Sequence, residues 1–407
     1  MRPLARARAD VLASLPALGS ERVPVADAIG RVTAREVVAD QWIPPFANSA
    51  MDGFAVIASD TAGAPRTLRV VDDVPAGSVP TRAVTHGEAT RIMTGAPIPD
   101  GADAVVMVER TTAESPDVVT ILDEVAPGTA VRCAGSDVGP GDRLVGSGLR
   151  LTPRHLASLA SVVGEVEVAA VPTVAILSTG DEVVPPSTPT LGPGKIRDTN
   201  RVMLAACLRE MGVPVLDLGI VGDDVQALRH AFTDAAGGAD VVVSTGGVSM
   251  GDHDHVKAIL SDRGSVQFWR VAMQPAKPFA FGSIDGVPFF GLPGNPVSTF
   301  VAFEQFVRPG LLHMMGATAL LRPRIVGTMG EDVDTSPDKE VFLRVLLADD
   351  GDRYVALRSG GQGSNVLSAL AAADAFAVIP VGVGKVSAGD DVILEMFRWP
   401  EARTADE

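Results

Sequence analysis

The pattern of apolar and polar positions changes character three times along the chain. Leu4, Val11, Leu12, Leu15 and Leu18 recur near the helical period, which predicts an amphipathic helix over 4–18. From about 57 to 140 the apolar runs shorten to strand length: TLRVVDDV, ATRIMTG, AVVMVER, DVVTILDEV and TAVRCAG, with turn residues between them. This predicts a small all-β unit. Residues 152–163 read as a helix with Thr152 at the N-cap and Pro153 in the first turn. Packing of that helix on the N-terminal one would make the β unit an insertion.

From Val171 strands and helices alternate: VPTVAILSTG, then TNRVMLAACLREMG, VPVLDLGIV, DDVQALRHAFTDAA and ADVVVS. A helix to about Leu260 is expected next, then strands near Phe268, Phe279 and Phe289, then a helix from Pro296 to about Met315. Such alternation predicts a mostly parallel, doubly wound sheet with ligands at the carboxyl ends of its strands. After about 320, RIVGTM, EVFLRVLLA, RYVALR, AFAVIP and DVILEMF predict a small C-terminal barrel or sandwich, and EARTADE a frayed tail. The fold class expected is multidomain α/β plus β.

The expected rim gathers STGDE (178–182), RDTN (197–200), Asp223 or Asp224, STGGVSMGDHD (244–254) and GLPGNP (291–296). Gly246 and Gly247 after a valine-rich strand allow positive φ and close approach of a ligand to bare amides. Amides beside a helix start favour a phosphate-like anion. Asp181, Glu182, Asp198, Asp223 and Asp254 around one anion site would repel it unless a divalent cation lay between, and oxygen ligands favour Mg²⁺ over zinc. The other reading is a tight strand-to-helix connection with surface carboxylates. His253 and His255 are a weak zinc signal, and surface histidines are the alternative. Lys277, Arg344, Lys195 and Arg197 are candidate cations, or solvated surface residues. In QWIPPFANSAMDGFAV (41–56) the prolines bar a continuous helix. The mixture suits a loop anchored by Phe46, Met51 and Phe54 that presents Asn48, Ser49 and Asp52, or a plain connection.

Composition narrows the function classes. A formal net charge of −16 over 407 residues argues against nonspecific nucleic-acid binding and against docking on an anionic membrane. Two cysteines, Cys133 and Cys207, with no CxxC, suggest neither a disulfide framework nor a cysteine zinc site. No run of 18 uncharged apolar residues occurs, and a cytoplasmic location is expected. There is no GxxxxGK[ST], no GxGxxG after the Val174 strand and no GxSxG, which argues against a P-loop NTPase, a dinucleotide oxidoreductase and an α/β-hydrolase.

PFANSAMDGFA, IMTGAPIPDGADAVVMVE, STGDE, STGGVSMGDHD, GLPGNPVS and GGQGSN occur in this order over nearly the whole chain. Together they resemble the molybdopterin molybdenumtransferase family, which includes bacterial MoeA and the gephyrin and plant E-domains. The resemblance implies a reaction in which molybdenum from molybdate enters adenylyl-molybdopterin with release of AMP, dependent on Mg²⁺. It implies Asp52, Thr94, Asp137 and Glu182 as catalytic positions and Asp223, Asp254 and Glu182 as metal positions. Ser178, Gly180, Asp198, Gly246, Gly247, Ser249, Pro293 and Pro296 belong to the expected pterin-nucleotide cradle, and Lys277, Ser298, Arg344 and Ser364 match the oxyanion positions. No covalent nucleophile is implied.

The resemblance also implies an elongated homodimer with a site shared between subunits. Its four parts would be 1–42 with 141–170, an inserted β domain 43–140, a MogA-like α/β domain 171–318 and a β-barrel domain 319–407. Transient contact with a MogA-type adenylyltransferase and with molybdoenzyme chaperones is expected, with no nucleic-acid or membrane partner. Gln274 and Ala47 depart from the family pattern, each removing a charged or polar contact. The rival functions are adenylyl transfer to molybdopterin and a non-catalytic scaffold of the same fold.

Overall fold

The computed structural model of the chain describes residues 1–247, 259 and 264–399. The first helix, α1 (Leu4–Ser14), stops short of Leu18 because Leu15 is already extended. After β1 (Ser20–Pro24) the chain builds the β unit from β2 (Gly53–Val56), β3 (Arg66–Val74), β4 (Glu88–Ile92), β5 (Ala104–Met107), β6 (Thr111–Ser115) and β7 (Val118–Ile121). Their order is β5-β2-β4-β3-β7-β6, antiparallel except for β3 beside β4. Alternate residues on either face fill separate cores, with Phe54 and Val106 on one side and Ala55 and Val105 on the other.

α2 (Pro153–Ala160) starts as read, with the Thr152 N–H donating to His155 Nδ1 at 3.1 Å. β8 (Glu165–Ala169) follows and pairs antiparallel with β1. The expected packing of α2 on α1 does not occur. Leu159 of α2 joins Val25, Ala28, Val145 and Leu151, whereas Leu4, Ala7, Val11 and Leu15 of α1 enter the core of the α/β unit. The stripe on α1 is long enough to cover the final helix of that unit. The shorter α2 has only Leu159 fully covered.

The α/β unit comprises β9 (Val174–Thr179), α3 (Asn200–Glu210), β10 (Val215–Val221), α4 (Val225–Gly238), β11 (Val241–Thr245), β12 (Gln267–Arg270), β13 (Met273–Gln274), β14 (Pro278–Ile284) and β15 (Val287–Leu292). Its sheet runs β10-β9-β11-β15-β14-β12. The first four strands are parallel; β14 and β12 complete an antiparallel edge. Successive residues of β9 and β11 point into different cores, Ile176 and Val243 to one face and Leu177 and Val242 to the other. Burial on both faces explains why these strands read as unbroken apolar runs. The final helix is α5 (Pro296–Ala302), a π turn (Phe303–Val307) and α6 (Arg308–Met314) in succession. The expected single helix therefore contains a wider turn.

β16 (Arg324–Met329), β17 (Glu340–Asp349), β18 (Tyr354–Arg358), α7 (Leu367–Ala372), β19 (Ala375–Ile379) and β20 (Asp391–Met396) form the last unit. The strands close in the order β17-β18-β16-β20-β19 and back to β17, a five-stranded barrel. Val341, Leu343 and Val345 fill the barrel, while Phe342, with Phe376 and Val378, joins the α/β core outside it. β13 also adds to the outside edge of β17. Among the described residues no helix is long and apolar enough to cross a membrane.

Candidate functional site

Three parallel strands, β9, β11 and β15, end together at one edge. The Gly246 N–H donates to the Leu292 carbonyl at 3.2 Å, and Thr245 Oγ1 donates to the Pro293 carbonyl at 3.1 Å. Asn200 at the start of α3 ties the same loops together, its Nδ2 donating to Thr245 Oγ1 at 2.8 Å and to the Gly294 carbonyl at 2.7 Å. Gly246 has φ +89°, and a Cβ there would lie 2.6 Å from the Thr179 carbonyl oxygen. Only glycine permits this approach. Gly247 is left-handed as well. Ser178 and Asp198 sit below the rim, both buried. Ser178 Oγ donates to Asp198 Oδ1 at 3.0 Å, and Arg201 Nε donates to Asp198 Oδ2 at 2.8 Å. Their polar groups brace the floor of the rim.

The acidic side is more open. The Asp223 N–H donates to Asp181 Oδ1 at 3.0 Å, and Lys195 Nζ donates to the Asp181 carbonyl at 2.5 Å. The Glu182 carboxylate lies against Gly180, whose φ is +130°. Glu182, Asp181 and Asp223 thus share one end of the rim. Ser249, Asp252, His253, Asp254 and His255 lie outside the described residues. Among the described residues no three His, Cys, Asp or Glu side chains converge as a metal group.

The barrel contributes a buried cation to the seam beside this rim. Arg344 on β17 is 1% exposed. Its Nη2 donates to the carbonyls of Gly361 and Gly363 at 3.0 and 3.2 Å, and its Nε has no partner. Among the described residues no carboxylate is paired with it, and burial pushes its pKa down to about 10. It therefore stays protonated near neutral pH. A buried, incompletely bonded guanidinium calls for an explanation, because desolvating an unpaired charge is costly. The loop it holds continues into Ser364, which meets the rim: Val297 N–H donates to the Ser364 carbonyl, and Asn295 Nδ2 to Ser364 Oγ, both at 3.0 Å. Pro296 opens α5, Ser298 is buried in its first turn, and Thr299 Oγ1 fixes the Pro293 carbonyl at 2.6 Å. Ser364 thus joins the loop that holds Arg344 to the Pro293–Ser298 segment of the other unit.

Lys277 is exposed on the turn between β13 and β14. It lies near Asp338, whose carboxyl is held low first by the Ser336 hydroxyl and more weakly by Lys339 and Lys277. Asp52 and Thr94 meet in the β unit. The Thr94 N–H and Oγ1 donate to Asp52 Oδ1 at 2.6 and 2.7 Å, which lowers the Asp52 pKa. Asp137 is exposed in the same unit, its N–H bonded to the Ile43 carbonyl at 3.0 Å. Phe46 and Met51, beside Asp52, are 46% and 47% exposed. Among the described residues no hydrogen bond or ion pair joins Asp52, Thr94 or Asp137 to the α/β rim.

Known proteins cover the whole arrangement. The family profile "MoeA N-terminal region (domain I and II)" matches residues 2–163, "Probable molybdopterin binding domain" matches 175–313 and "MoeA C-terminal region (domain IV)" matches 326–397. The molybdopterin molybdenumtransferase of Haemophilus influenzae is 37% identical over 403 residues, covering 98% of this chain and 99% of that one. The chain belongs to the molybdopterin molybdenumtransferase family. Molybdopterin molybdenumtransferase 2 of Mycobacterium tuberculosis is 39% identical over 90% of this chain and 92% of its own. A crystal structure of the molybdopterin biosynthesis MoeA protein from Pyrococcus horikoshii superposes with a TM-score of 0.78 at 33% identity, covering 98% of this chain and 99% of that one.

Against this family background, one residue gains weight that sequence reading did not give it. Asn200 ties the Thr245 and Pro293–Gly294 loops together, whereas Asp181 and Asp223, both named as candidates, do meet. Asn200 stood inside the quoted segment RDTN, but spacing alone does not reveal which loop a side chain crosses to.

Proposed function

We propose that the chain inserts molybdenum from molybdate into adenylyl-molybdopterin and releases AMP, with the rim and seam as one half of its site. Membership of the family makes it a transferase enzyme of molybdenum cofactor biosynthesis. The observation that supports the finer reading most is Arg344, a buried guanidinium with carbonyl partners and, among the described residues, no bonded carboxylate, held by the loop that runs on to Ser364. A tetrahedral dianion supplies the missing counter-charge, and hydroxyl donors suit its oxygens. Lys277 would add a cation at the entrance. The Gly247 amide and the edge around Gly180 would take the nucleotide phosphate, and Pro293 and Pro296 would shape the adjoining wall.

The described rim offers carboxylate and carbonyl oxygens, which by donor type fit Mg²⁺. Glu182 and Asp223 would hold it, with Asp254 proposed as a third ligand; when bound it would offset the negative charge of the adenylate phosphate. The protein's own contribution is positioning: fixed donors hold molybdate against the dithiolene, and no side chain forms a covalent bond.

We further propose that Asp52, Thr94 and Asp137 complete the site of a second copy in a homodimer. The exposed Phe46 and Met51 beside them would be covered there. The division into 1–42 with 141–170, 43–140, 171–318 and 319–407, the cytoplasmic location and transient contact with a MogA-type adenylyltransferase and molybdoenzyme chaperones belong to the same proposal. The test is to incubate the protein with adenylyl-molybdopterin, Mg²⁺ and graded molybdate. AMP release that depends on molybdate is expected; ATP consumption with free molybdopterin would instead mark an adenylyltransferase.

A further inference from the structure

We infer that Gln305, in the π turn of the final α/β helix, is a positioning residue that sets where the barrel presents Arg344 to the rim. The inference rests on the reading of Arg344 as an oxyanion contact.

The row of side chains that carries Arg344 can be followed across the barrel. Arg344 on β17 is directly opposite Phe376 on β19, Phe376 is opposite Glu395 on β20, and Glu395 is opposite Arg324 on β16. Opposed residues on antiparallel strands share a face. This is the outer face, because the alternate residues Leu343, Ala377 and Leu394 fill the barrel. The final helix of the α/β unit lies along that face. Its first turn bonds to Ser364 through Val297, and Phe300 packs on Phe376 with centroids 6.0 Å apart. At the π turn, Gln305 Nε2 donates to Glu395 Oε1 at 2.5 Å.

Gln305 is fully buried and bonded on both sides. Its Oε1 accepts from Arg8 Nη2, and its carbonyl accepts from Arg8 Nε at 3.1 Å. Glu395 Oε2 accepts from Arg324 Nε and Nη2 at 3.0 and 2.8 Å. A neutral amide can donate to one carboxylate and accept from one guanidinium at the same time. A carboxylate in its place would face Glu395 with like charge. The preceding residue, Glu304, accepts both Arg322 Nε and Nη2 at 2.8 and 2.9 Å, just before the barrel begins. The π turn brings two adjacent side chains to barrel anchors, and such turns occur often at functional positions. Bonds this buried specify one register, since a partly satisfied polar network is costly. A shift of that register would carry Phe376 and Arg344 with it relative to Ser298.

The test uses the full-length protein. Gln305→Glu is expected to raise the molybdate concentration at half-maximal AMP release by about tenfold, because small misplacements distant from the chemistry can cost that much. The maximal rate should change less than about twofold if the chemistry itself is intact. The double change Gln305→Glu with Glu395→Gln exchanges acid and amide while keeping the same bonds to Arg8 and Arg324, and it should restore the molybdate requirement. Gln305→Leu removes the two side-chain bonds without adding charge and serves if Gln305→Glu does not fold; it should show the same selective rise. A lowered melting temperature with an unchanged molybdate requirement would overturn the inference, as would failure of the folded double variant to recover. Arg344→Met is measured beside them. If it too leaves the molybdate requirement unchanged, the oxyanion reading of Arg344 fails; if only the Gln305 variants do, the positioning role alone fails.

Discussion

The seam between the α/β unit and the barrel differs from the Asp52–Thr94 corner of the β unit in one respect that governs both. At the seam, bonds cross between units, from Val297 and Asn295 to Ser364 and from the buried Gln305 to Glu395, while the loop before Ser364 holds the buried Arg344 within the barrel. At the corner, the exposed Asp52 carboxylate is bonded, among the described residues, only to Thr94, with exposed Phe46 and Met51 alongside. One region is assembled by the chain's own folding. The other is presented outward, in keeping with the proposed completion by a second subunit.

The largest expected effect is at the seam. Arg344→Met should lower molybdate-dependent AMP release by about 100- to 1,000-fold, the loss seen when an oxyanion donor is removed. It should leave thermal stability unchanged or raised, because it removes a buried charge without an anion partner. Retained activity would remove Arg344 from the site, and a large fall in melting temperature would make its role structural. Asp52→Ala should cost about 100-fold in the same assay, because loss of one positioning contact can be that severe. Its circular dichroism and melting should match the parent, since an exposed carboxylate contributes little to stability.

Mixing these two variants tests the contrast itself. If the corner serves the partner's seam, each mixed dimer contains one intact and one doubly defective site. Random assembly then recovers about a quarter of the parental sites. No recovery in dimers verified as mixed would mean that corner and seam serve within one chain.

Smaller effects sharpen the picture. Lys277→Ala should raise the half-saturating molybdate concentration by about fivefold, since an exposed charge acts through solvent; an unchanged value would exclude it from oxyanion capture. Thr94→Val addresses pH. The Thr94 hydroxyl and amide hold the Asp52 carboxyl below its ordinary value of 3.8. A lowered carboxyl pKa favours the ionised folded state above that ordinary value, and the advantage is lost as pH falls through the folded pKa. Removing the hydroxyl should move the acid limb of the rate profile to higher pH. An unmoved limb would mean that ionisation of Asp52 does not set it.

Much of the architecture was readable from local pattern. Short runs between turns marked the β unit, and unbroken apolar strands separated by helices marked the doubly wound sheet, because burial on both faces removes alternation from strands such as Val174–Thr179. Thr152-Pro153 located a helix start by capping chemistry alone. The packing of α1 was misjudged because amphipathicity says that a face is covered, not what covers it. Arg344 was one cation among several in the sequence. What distinguishes it is the absence of a bonded carboxylate among the described residues, a property of the folded neighbourhood.

The sequence by itself determined the three kinds of unit, the glycine positions where backbone must come close, and the motifs that mark the family. It could do so because period, turn chemistry and steric freedom act over a few residues. Tertiary structure alone decided that the outer face of the barrel docks on the final α/β helix, that Gln305 meets Glu395, and that Arg344 is buried under the loop whose Ser364 bonds to Asn295 and Val297. These contacts join residues up to 297 positions apart, as Arg8 and Gln305 are. They depend on which buried polar groups find partners when separate units close on each other, and no local pattern encodes that.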